Sequence, residues 1–258
     1  MNGTPDIIVK RLVKEDDALQ TYCCMTEVPT PWPKALCECR DWVAENLGVH
    51  VDGYHLKLGA GDVIGHIYYA PSEQALFSYE VEPGFAVLYC EWVQQRYQKR
   101  GFGTHLFETF VTALKQEKSK GVLVEATDIE GQMYYGHYLS RGFKIVHEAG
   151  HHKLLFLPLS AQQVAHRRRK PRVQPRRQLP VEIHLFRGFL CPYEVSTQLL
   201  VRDVAQEFGD QVRIQEVWLT PETLDQFGVP SGVLINGIQK LAGGETERAV
   251  RRAIMEEL

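Results

Sequence analysis

The chain has 258 residues, of which 44% are hydrophobic and 24% charged, and its formal net charge is −3. This is an ordinary globular composition, and the length suits one large domain or two small ones. No stretch approaches the roughly 18 apolar residues of a membrane-spanning helix. The first residues, MNGTPDIIVKRLVKEDD, lack the apolar core of a signal peptide, so we expect a cytoplasmic protein whose six cysteines are reduced thiols.

The charge is divided along the chain. Residues 1–159 carry 15 Lys and Arg against 20 Asp and Glu, residues 160–180 carry 7 against none, and residues 181–258 carry 7 against 12. Two acidic blocks joined by a basic bridge predict a first domain at 1–159, a linker at 160–180 and a second domain at 181–258. The bridge lacks interleaved aromatic residues, which argues against sequence-specific nucleic-acid binding. It is predicted to be a solvated tether, or to dock on either acidic domain.

In the first domain, strand-like and helix-like stretches alternate, which predicts an α/β fold with a mixed sheet. The mostly apolar run 85–93 is typical of a buried central strand. The helix predicted at 103–121 crosses from that strand to its neighbour. Further strands are predicted at 6–13, 54–58, 62–70, 122–127, 143–149 and 153–159, and further helices at 34–48 and 132–143.

The second domain is more compact. Strands are predicted at 181–187 and 212–219, with the helix 195–209 between them. Thr220 is predicted to be the N-cap of a short helix that Pro221 opens. A hairpin over Asn236-Gly237 and an amphipathic helix at the end of the chain complete the pattern.

A basic turn with two glycines, Gln98–Gly103 (QKRGFG), follows the run 85–93 and opens the central helix. Gly101 and Gly103 permit positive φ and close approach of a ligand, and the helix start supplies unpaired N–H groups. Such a turn binds a phosphate or pyrophosphate. It is not a nucleotide P-loop, because no Lys-Ser/Thr pair follows. It is not a dinucleotide fingerprint either, because Leu106 stands where a third glycine belongs.

This turn resembles the Gln/Arg-x-x-Gly-x-Gly signature of the GNAT acetyltransferase superfamily, whose loop holds the pyrophosphate of acetyl-CoA. A second stretch, Tyr138–Phe143 (YLSRGF), resembles the family's Tyr-x-x-x-Gly-Phe and follows after a strand and a helix, as in the family. The chain is further similar to YoaP-type acetyltransferases, which carry a thioredoxin-like appendage. The resemblance implies the fold of this family and a set of coenzyme-binding residues: Trp92, Val93, Gln98, Lys99, Arg100, Gly101, Phe102, Gly103 and Thr104.

The resemblance also implies the chemistry, which is direct acetyl transfer to an amine in a ternary complex. A backbone N–H near Trp92 or Val93 is the expected oxyanion donor. Tyr138 matches the tyrosine that protonates the coenzyme A sulfur. Glu91 is the candidate base, with Glu125 on the adjacent strand as its rival.

Other contacts follow from the same resemblance. The family often has an asparagine near the coenzyme, for which Gln132 is the candidate replacement. Glu80 and Glu82 are candidates for lining the acceptor side. The acidic first domain favours a cationic or amine acceptor over an anionic one. Neither the acceptor nor the oligomeric state follows from the sequence.

The cysteines do not form a recognisable metal motif. Cys37 and Cys39 lie in a predicted helix, where positions two apart diverge, and no histidine pair accompanies them. We therefore expect no metal and treat these thiols as small buried hydrophobic groups. The resemblance places Cys23 and Cys24 at the border of the acceptor pocket.

The stretch HLFRGFLCPYE looks like the active-site end of a thioredoxin or glutaredoxin, with Cys191 at a helix start. The segment GVPSGVLING resembles the cis-proline loop of that fold, which makes Pro230 a candidate cis residue. Glu194 replaces the second cysteine, so no disulfide can form within the motif. Three roles remain open for Cys191: a monothiol redox site, a thiol that engages substrate, or a remnant in a binding domain.

Two alternatives to acetyl transfer therefore follow. In the first, a thiol oxidoreductase or thiol sensor acts through Cys191 and coenzyme A is only a ligand. In the second, a non-catalytic adaptor binds acyl-CoA without turnover.

Overall fold

The computed structural model describes residues 7–13, 15–26, 32–131, 133–176, 179–188 and 191–258. The chain forms two compact units, the first from residues 1–27, 44–75 and 81–166, the second from residues 28–43, 76–80 and 167–258. None of the described helices is long and apolar enough to cross a membrane.

The first unit is built on a seven-stranded mixed sheet with the order β1-β2-β3-β5-β6-β8-β7. Its strands are β1 (Ile7–Arg11), β2 (Asp52–Leu58), β3 (Val63–Pro71), β5 (Ala86–Val93), β6 (Gly121–Thr127), β7 (Lys144–Ala149) and β8 (His152–Pro158). The strand β5 is the fourth of seven, as predicted for the apolar run. It runs antiparallel to β3 and parallel to β6.

The helix α3 (Phe102–Gln116) connects β5 to β6, which confirms the predicted crossover. Its buried stripe, Leu106, Phe107, Phe110 and Leu114, lies in the core of the sheet. Burial of each such side chain contributes about 2 kcal/mol, so packing rather than intrinsic propensity holds this helix in place.

The remaining helices of the first half are α1 (Glu15–Ala18), α2 (Pro33–Asn46) and α4 (Tyr135–Leu139). The helix α4 is shorter than the predicted 132–143. Gly142 turns the chain with a φ of +88°, and the N–H of Phe143 bonds back to the carbonyl of Tyr138, so the helix ends before strand β7.

The second unit contains a four-stranded sheet with the order β11-β10-β12-β13. Its elements in chain order are β10 (Val181–Arg187), α5 (Pro192–Ala205), β11 (Val212–Trp218), α6 (Pro221–Phe227), β12 (Val233–Ile235), β13 (Ile238–Leu241) and α7 (Glu247–Met255). β10 and β11 are parallel, whereas β12 is antiparallel to both β10 and β13.

The predicted helix cap and hairpin turn of this unit are confirmed. Thr220 caps α6 and exchanges hydrogen bonds with Thr223 in a capping box. Asn236 and Gly237 both have positive φ, as the two central residues of a type I′ hairpin turn require. The core beneath the sheet includes Ile183, Val233 and Ile254, none of which is exposed.

The predicted linker is part of the second unit from residue 167 onwards, and residues 28–43 and 76–80 belong to the same unit. A two-stranded ribbon pairs β4 (Tyr79–Val81) with β9 (His166–Arg168), two strands that the sequence did not predict. Arg169 forms an ion pair with Asp225. The basic stretch is therefore held in part by carboxylates, because its arginines reach acidic partners of the second unit.

Candidate functional site

The central strand β5 separates from β6 halfway along its length. Registered pairs between these strands run from Ala86 to Leu88, whereas the pairing of β5 with β3 continues to Val93. The β3–β5 ladder has a register shift at Tyr89, the first residue of β5 after its pairing with β6 ends. The second half of β5 therefore turns one backbone edge to a gap in the sheet, where a ligand can take up its hydrogen bonds.

The ladder decides which N–H groups face that gap. The N–H of Gln94 donates to the carbonyl of Ile64 on β3 at 2.8 Å. Because paired and unpaired residues alternate along an antiparallel ladder, Trp92 faces β3 and Val93 faces the gap. The carbonyl of Val93 accepts from Nε2 of Gln98 at 2.8 Å on that same edge. Of the two residues predicted to supply an oxyanion donor, Val93 is therefore the one whose N–H faces the gap.

The glycine turn leads directly from this edge into α3. Lys99 and Gly101 have φ values of +58° and +82°, so successive N–H groups curve around one concave surface. Gly101 is the N-cap of α3, and no side chain caps this end of the helix. The N–H groups of the first turn, at Phe102, Gly103 and Thr104, therefore point away from the helix and can bind an anion.

The side chains of the turn have other contacts. Gln98 holds the turn to β5 through the hydrogen bond to Val93. Phe102 is half-buried against the core. Lys99 and Arg100 are exposed, and the guanidinium of Arg100 lies 5.8 Å from the ring centroid of Tyr97. The turn thus offers backbone donors at its centre and exposed positive charges at its rim.

Glu91 is engaged in an ion pair. Its carboxylate accepts from Nη1 of Arg141 at 2.6 Å, and its side chain is only 5% exposed. The same guanidinium donates to the carbonyl of Gly103 at 3.3 Å and lies over the ring of Phe107 at 4.3 Å. Nε2 of His137 lies 3.7 Å from the carboxylate. Arg141 therefore joins β5, the start of α3 and the end of α4.

Arg141 and His137 were not among the predicted site residues. Arg141 occupies one of the three positions that the Tyr-x-x-x-Gly-Phe pattern leaves variable, so the pattern did not single it out. Its partner Glu91 is 50 residues away, and only the fold brings the two together.

Tyr138 is buried beside this ion pair. Its hydroxyl donates to Sδ of Met133 at 3.2 Å, and its ring packs on Phe143. Burial raises the pKa of Tyr138 well above its ordinary value, and the Glu91 carboxylate and Cys90 thiol raise it further. The phenol is therefore a proton-bearing group at neutral pH and can donate a hydrogen bond.

The other candidate carboxylates have different surroundings. Glu125 is half-buried on β6, Glu82 is half-buried beyond β4, and Glu80 forms an ion pair with Arg167. Gln132, the candidate replacement for asparagine, lies outside the described residues. Among these carboxylates, the contacts described above connect only Glu91 to the start of α3.

A second polar cluster lies within the first unit. His66 is fully buried, with Nδ1 at 3.3 Å from Sγ of Cys23 and Nε2 at 3.3 Å from Sγ of Cys90. Its ring stacks on Tyr68 at a centroid distance of 4.3 Å. Burial lowers the pKa of His66 to about 3, and nearby His55 contributes in the same direction. This imidazole is therefore neutral.

The two sulfurs contact opposite nitrogens of one ring, so they do not converge on a single ion. Across the described part of the chain, no group of three or more His, Cys, Asp or Glu side chains is arranged to hold a metal.

In the second unit, Cys191 is exposed and is the N-cap of α5, the position that the motif predicted. Glu194 lies in the first turn of α5 and is half-buried. Burial raises the pKa of Glu194 to about 7, against the opposite effect of a hydrogen bond with Ser231. The carboxyl group three residues after the thiol is thus partly protonated at neutral pH.

The prediction of a cis peptide before Pro230 is wrong. Among the described residues, the one cis peptide bond joins Leu179 to Pro180. The chain around Pro230 reverses at two glycines, Gly228 and Gly232, with φ values of +73° and +96°. Because these glycines supply the turn geometry, the approach to β12 does not need a cis bond.

Residues 17–135 match the acetyltransferase (GNAT) family, a range that ends three residues before Tyr138. An acetyltransferase from Thermus thermophilus is 16% identical, with a TM-score of 0.44 over 59% of this chain and 97% of its own. The ribosomal-protein-S18-alanine N-acetyltransferase of Escherichia coli is 17% identical, with a TM-score of 0.43 over 61% and 97%. A GNAT family acetyltransferase from Brucella melitensis, solved with acetyl-CoA, is 18% identical, with a TM-score of 0.40 over 63% and 96%. Comparison with curated proteins finds no match. Residues 17–135 therefore match an acetyltransferase domain of the GNAT family, and most of these residues lie in the first unit.

Proposed function

We propose that the first unit transfers the acetyl group of acetyl-CoA to an amine acceptor by direct attack in a ternary complex. The observation that carries this proposal is the uncapped start of α3 beside the open half of β5. An N–H-lined turn at a helix start suits the pyrophosphate, and an adjacent strand edge suits the extended amide chain of the coenzyme.

The same geometry supports roles for individual residues. The N–H of Val93 is the donor for the oxyanion of the tetrahedral intermediate, because it faces the gap. Tyr138 gives its phenolic proton to the departing sulfur as the carbon–sulfur bond breaks. Glu91, held by Arg141, takes up the proton that the acceptor amine loses, directly or through water.

We extend the proposal to the second unit, which we assign to a thioredoxin-like fold of the YoaP type. Its chain order is β-α-β-α-β-β-α, and its sheet places the first two strands side by side and parallel, followed by the antiparallel hairpin. The Cys-Pro-Tyr-Glu sequence at the start of α5 supports the same assignment. The role proposed for this unit is to shape or select the acceptor.

Titration with acetyl-CoA by calorimetry tests the core of the proposal. A β-carbon at Gly103 would meet Arg141, Val93 and Glu91 at 3.5 Å or more, which is ordinary contact. Gly103→Glu should therefore fold and yet repel the pyrophosphate, with affinity falling at least about 100-fold through the added charge. Thr112→Glu adds the same charge on the exposed middle of α3 and should bind like wild type.

A screen of amine acceptors then separates an enzyme from an adaptor. Tyr138→Phe should lower kcat on the order of 100-fold with little change in coenzyme affinity. Tyr135→Phe in the same helix is the matched control. Binding without turnover over a broad amine panel would favour the adaptor, and absence of binding in wild type would overturn the proposal.

A further inference from the structure

Two side chains near Cys39 in the sequence contact two side chains near Cys191. Nη1 of Arg187, at the end of β10, lies 2.9 Å from Oε2 of Glu38. The ring of Trp32, just before α2, packs edge-on against Tyr193, with centroids 4.8 Å apart. All of these residues belong to the second unit. The first half of α2 is therefore fastened beside the start of α5.

The two thiols differ in exposure. Cys191 is exposed at the N-cap of α5, whereas Cys39 is buried and only 2% accessible. An accessible thiol at a helix start can attack an external disulfide, because the helix dipole stabilises its thiolate. A buried thiol cannot meet that external partner and can react only with a neighbour inside the protein.

We propose that Cys39 and Cys191 form a dithiol pair, in which Cys39 supplies the second sulfur that the Cys-Pro-Tyr-Glu motif lacks. This inference stands independently of acetyl transfer. It adds to the monothiol chemistry suggested by the motif a reaction that ends in an internal disulfide.

Electrostatics around Cys39 agrees with this pairing. Burial raises the pKa of the Cys39 thiol, Cys191 and Glu194 raise it further, and the Arg187 guanidinium opposes them. Burial therefore keeps Cys39 a protonated thiol, so the second step needs a proton acceptor. Glu194, in the first turn of α5 three residues after Cys191, is the group that we assign to that role.

The reaction balances with a low-molecular-weight disulfide as oxidant. Sγ of Cys191 attacks one sulfur of that disulfide, and a mixed disulfide forms as the first thiolate leaves. Cys39 then passes its proton to Glu194, and its sulfur attacks Sγ of Cys191. The second thiolate leaves and takes up a proton. Two cysteine thiols are oxidised, and one external disulfide is reduced to two thiols.

Oxidised glutathione is a suitable probe on the full-length, freshly reduced protein. Digestion with trypsin and Glu-C cuts after Glu38 and so separates Cys37 from Cys39. Wild type should give a Cys39–Cys191 disulfide-linked peptide and release two equivalents of glutathione. Cys39→Ser and Cys39→Ala should stop at a mixed disulfide on Cys191 with one equivalent released. Circular dichroism of both variants checks that they fold.

Cys37→Ser changes an exposed thiol of the same helix and is the matched control, which should behave as wild type. Cys191→Ser should release no glutathione through this pair. Glu194→Gln should slow closure of the internal disulfide about tenfold while leaving the first step unchanged. The proposal is overturned if wild type stays as the mixed disulfide like Cys39→Ser, or if the linked peptide contains Cys37.

Discussion

Arg141 links β5 to the start of α3 at the candidate site. Its guanidinium pairs with Glu91 and bonds to the carbonyl of Gly103. Both charged side chains are largely removed from water, at 14% and 5% exposure. In such a pair the loss of one partner is costly, because the other charge is left buried and uncompensated.

A double-mutant cycle measures this dependence. Glu91→Gln alone should lower the free energy of unfolding by about 3 kcal/mol, and Arg141→Met by a similar amount. The double variant should be more stable than the sum of the two changes predicts, with a coupling of about 1–3 kcal/mol. Urea unfolding followed by circular dichroism gives these values. Additive losses would show that the two side chains do not interact.

The protonation of His66 should make the free energy of unfolding depend on pH. Its folded-state pKa of about 3 lies below the roughly 6.5 of an unfolded histidine, so the unfolded chain binds the extra proton between these values. The contribution of the neutral imidazole is complete above about pH 6.5 and is lost as pH falls toward 3, at up to about 1.4 kcal/mol per pH unit.

Replacement of His66 by Gln should flatten the pH dependence of the urea midpoint between pH 6.5 and 4. The wild-type midpoint should fall over this window, because burial keeps His66 unprotonated in the folded protein. His105→Gln changes an exposed histidine on α3 and should retain the wild-type slope. Equal slopes in wild type and His66→Gln would contradict the assignment of the neutral state.

At the scale of elements, the start of α3 depends on backbone geometry. Gly101 holds a φ of +82°, and no atom lies within 4 Å of where its β-carbon would be. A side chain at position 101 would therefore meet no steric clash, but it would be held in an unfavourable left-handed backbone conformation. Gly103 differs, because a β-carbon there would lie in van der Waals contact with neighbouring side chains.

Gly101→Ala should destabilise the protein by about 1 kcal/mol and weaken acetyl-CoA binding, because the left-handed conformation is unfavourable for alanine. Gly101→Asn should cost less, since asparagine tolerates that conformation. Urea midpoints and calorimetric titrations of the two variants give the comparison. If both variants lose the same stability, backbone strain is not the cause.

At the scale of the whole molecule, the second unit is discontinuous in sequence. Residues 28–43 and 76–80 cluster with 167–258, and the helix residues Ala35, Leu36 and Cys39 are buried in the full chain. A division of the chain at residue 159 would therefore separate residues 28–43 and 76–80 from residues 167–258, with which they cluster.

A fragment of residues 1–165 tests this organisation. It should bind a hydrophobic dye and aggregate, because segment 28–43 has lost its partners in 167–258. The full chain with a protease site at the exposed residues 161–163 should stay as one particle after cleavage. Size-exclusion chromatography and dye fluorescence report both results. A monomeric, dye-negative fragment would instead support a boundary at 159.

The sequence by itself determined the elements that depend on neighbours in the chain. The apolar run 85–93 became the central strand, Thr220 the N-cap of α6, and Asn236-Gly237 the hairpin turn. Caps, turns and periodic stripes are set within a few residues, so local physical chemistry is enough to predict them.

Only the tertiary structure decided which distant side chains meet. Glu91 was predicted as a base, but its ion pair spans 50 positions. His66 joins cysteines from two other segments, and Cys39 lies in a helix fastened beside the start of α5. The Pro230 prediction failed because the glycines around it turn the chain without a cis bond. Strand pairing and packing within each unit set these contacts. The segments involved are far apart in the chain, so the local sequence of one does not indicate which other segment it will meet.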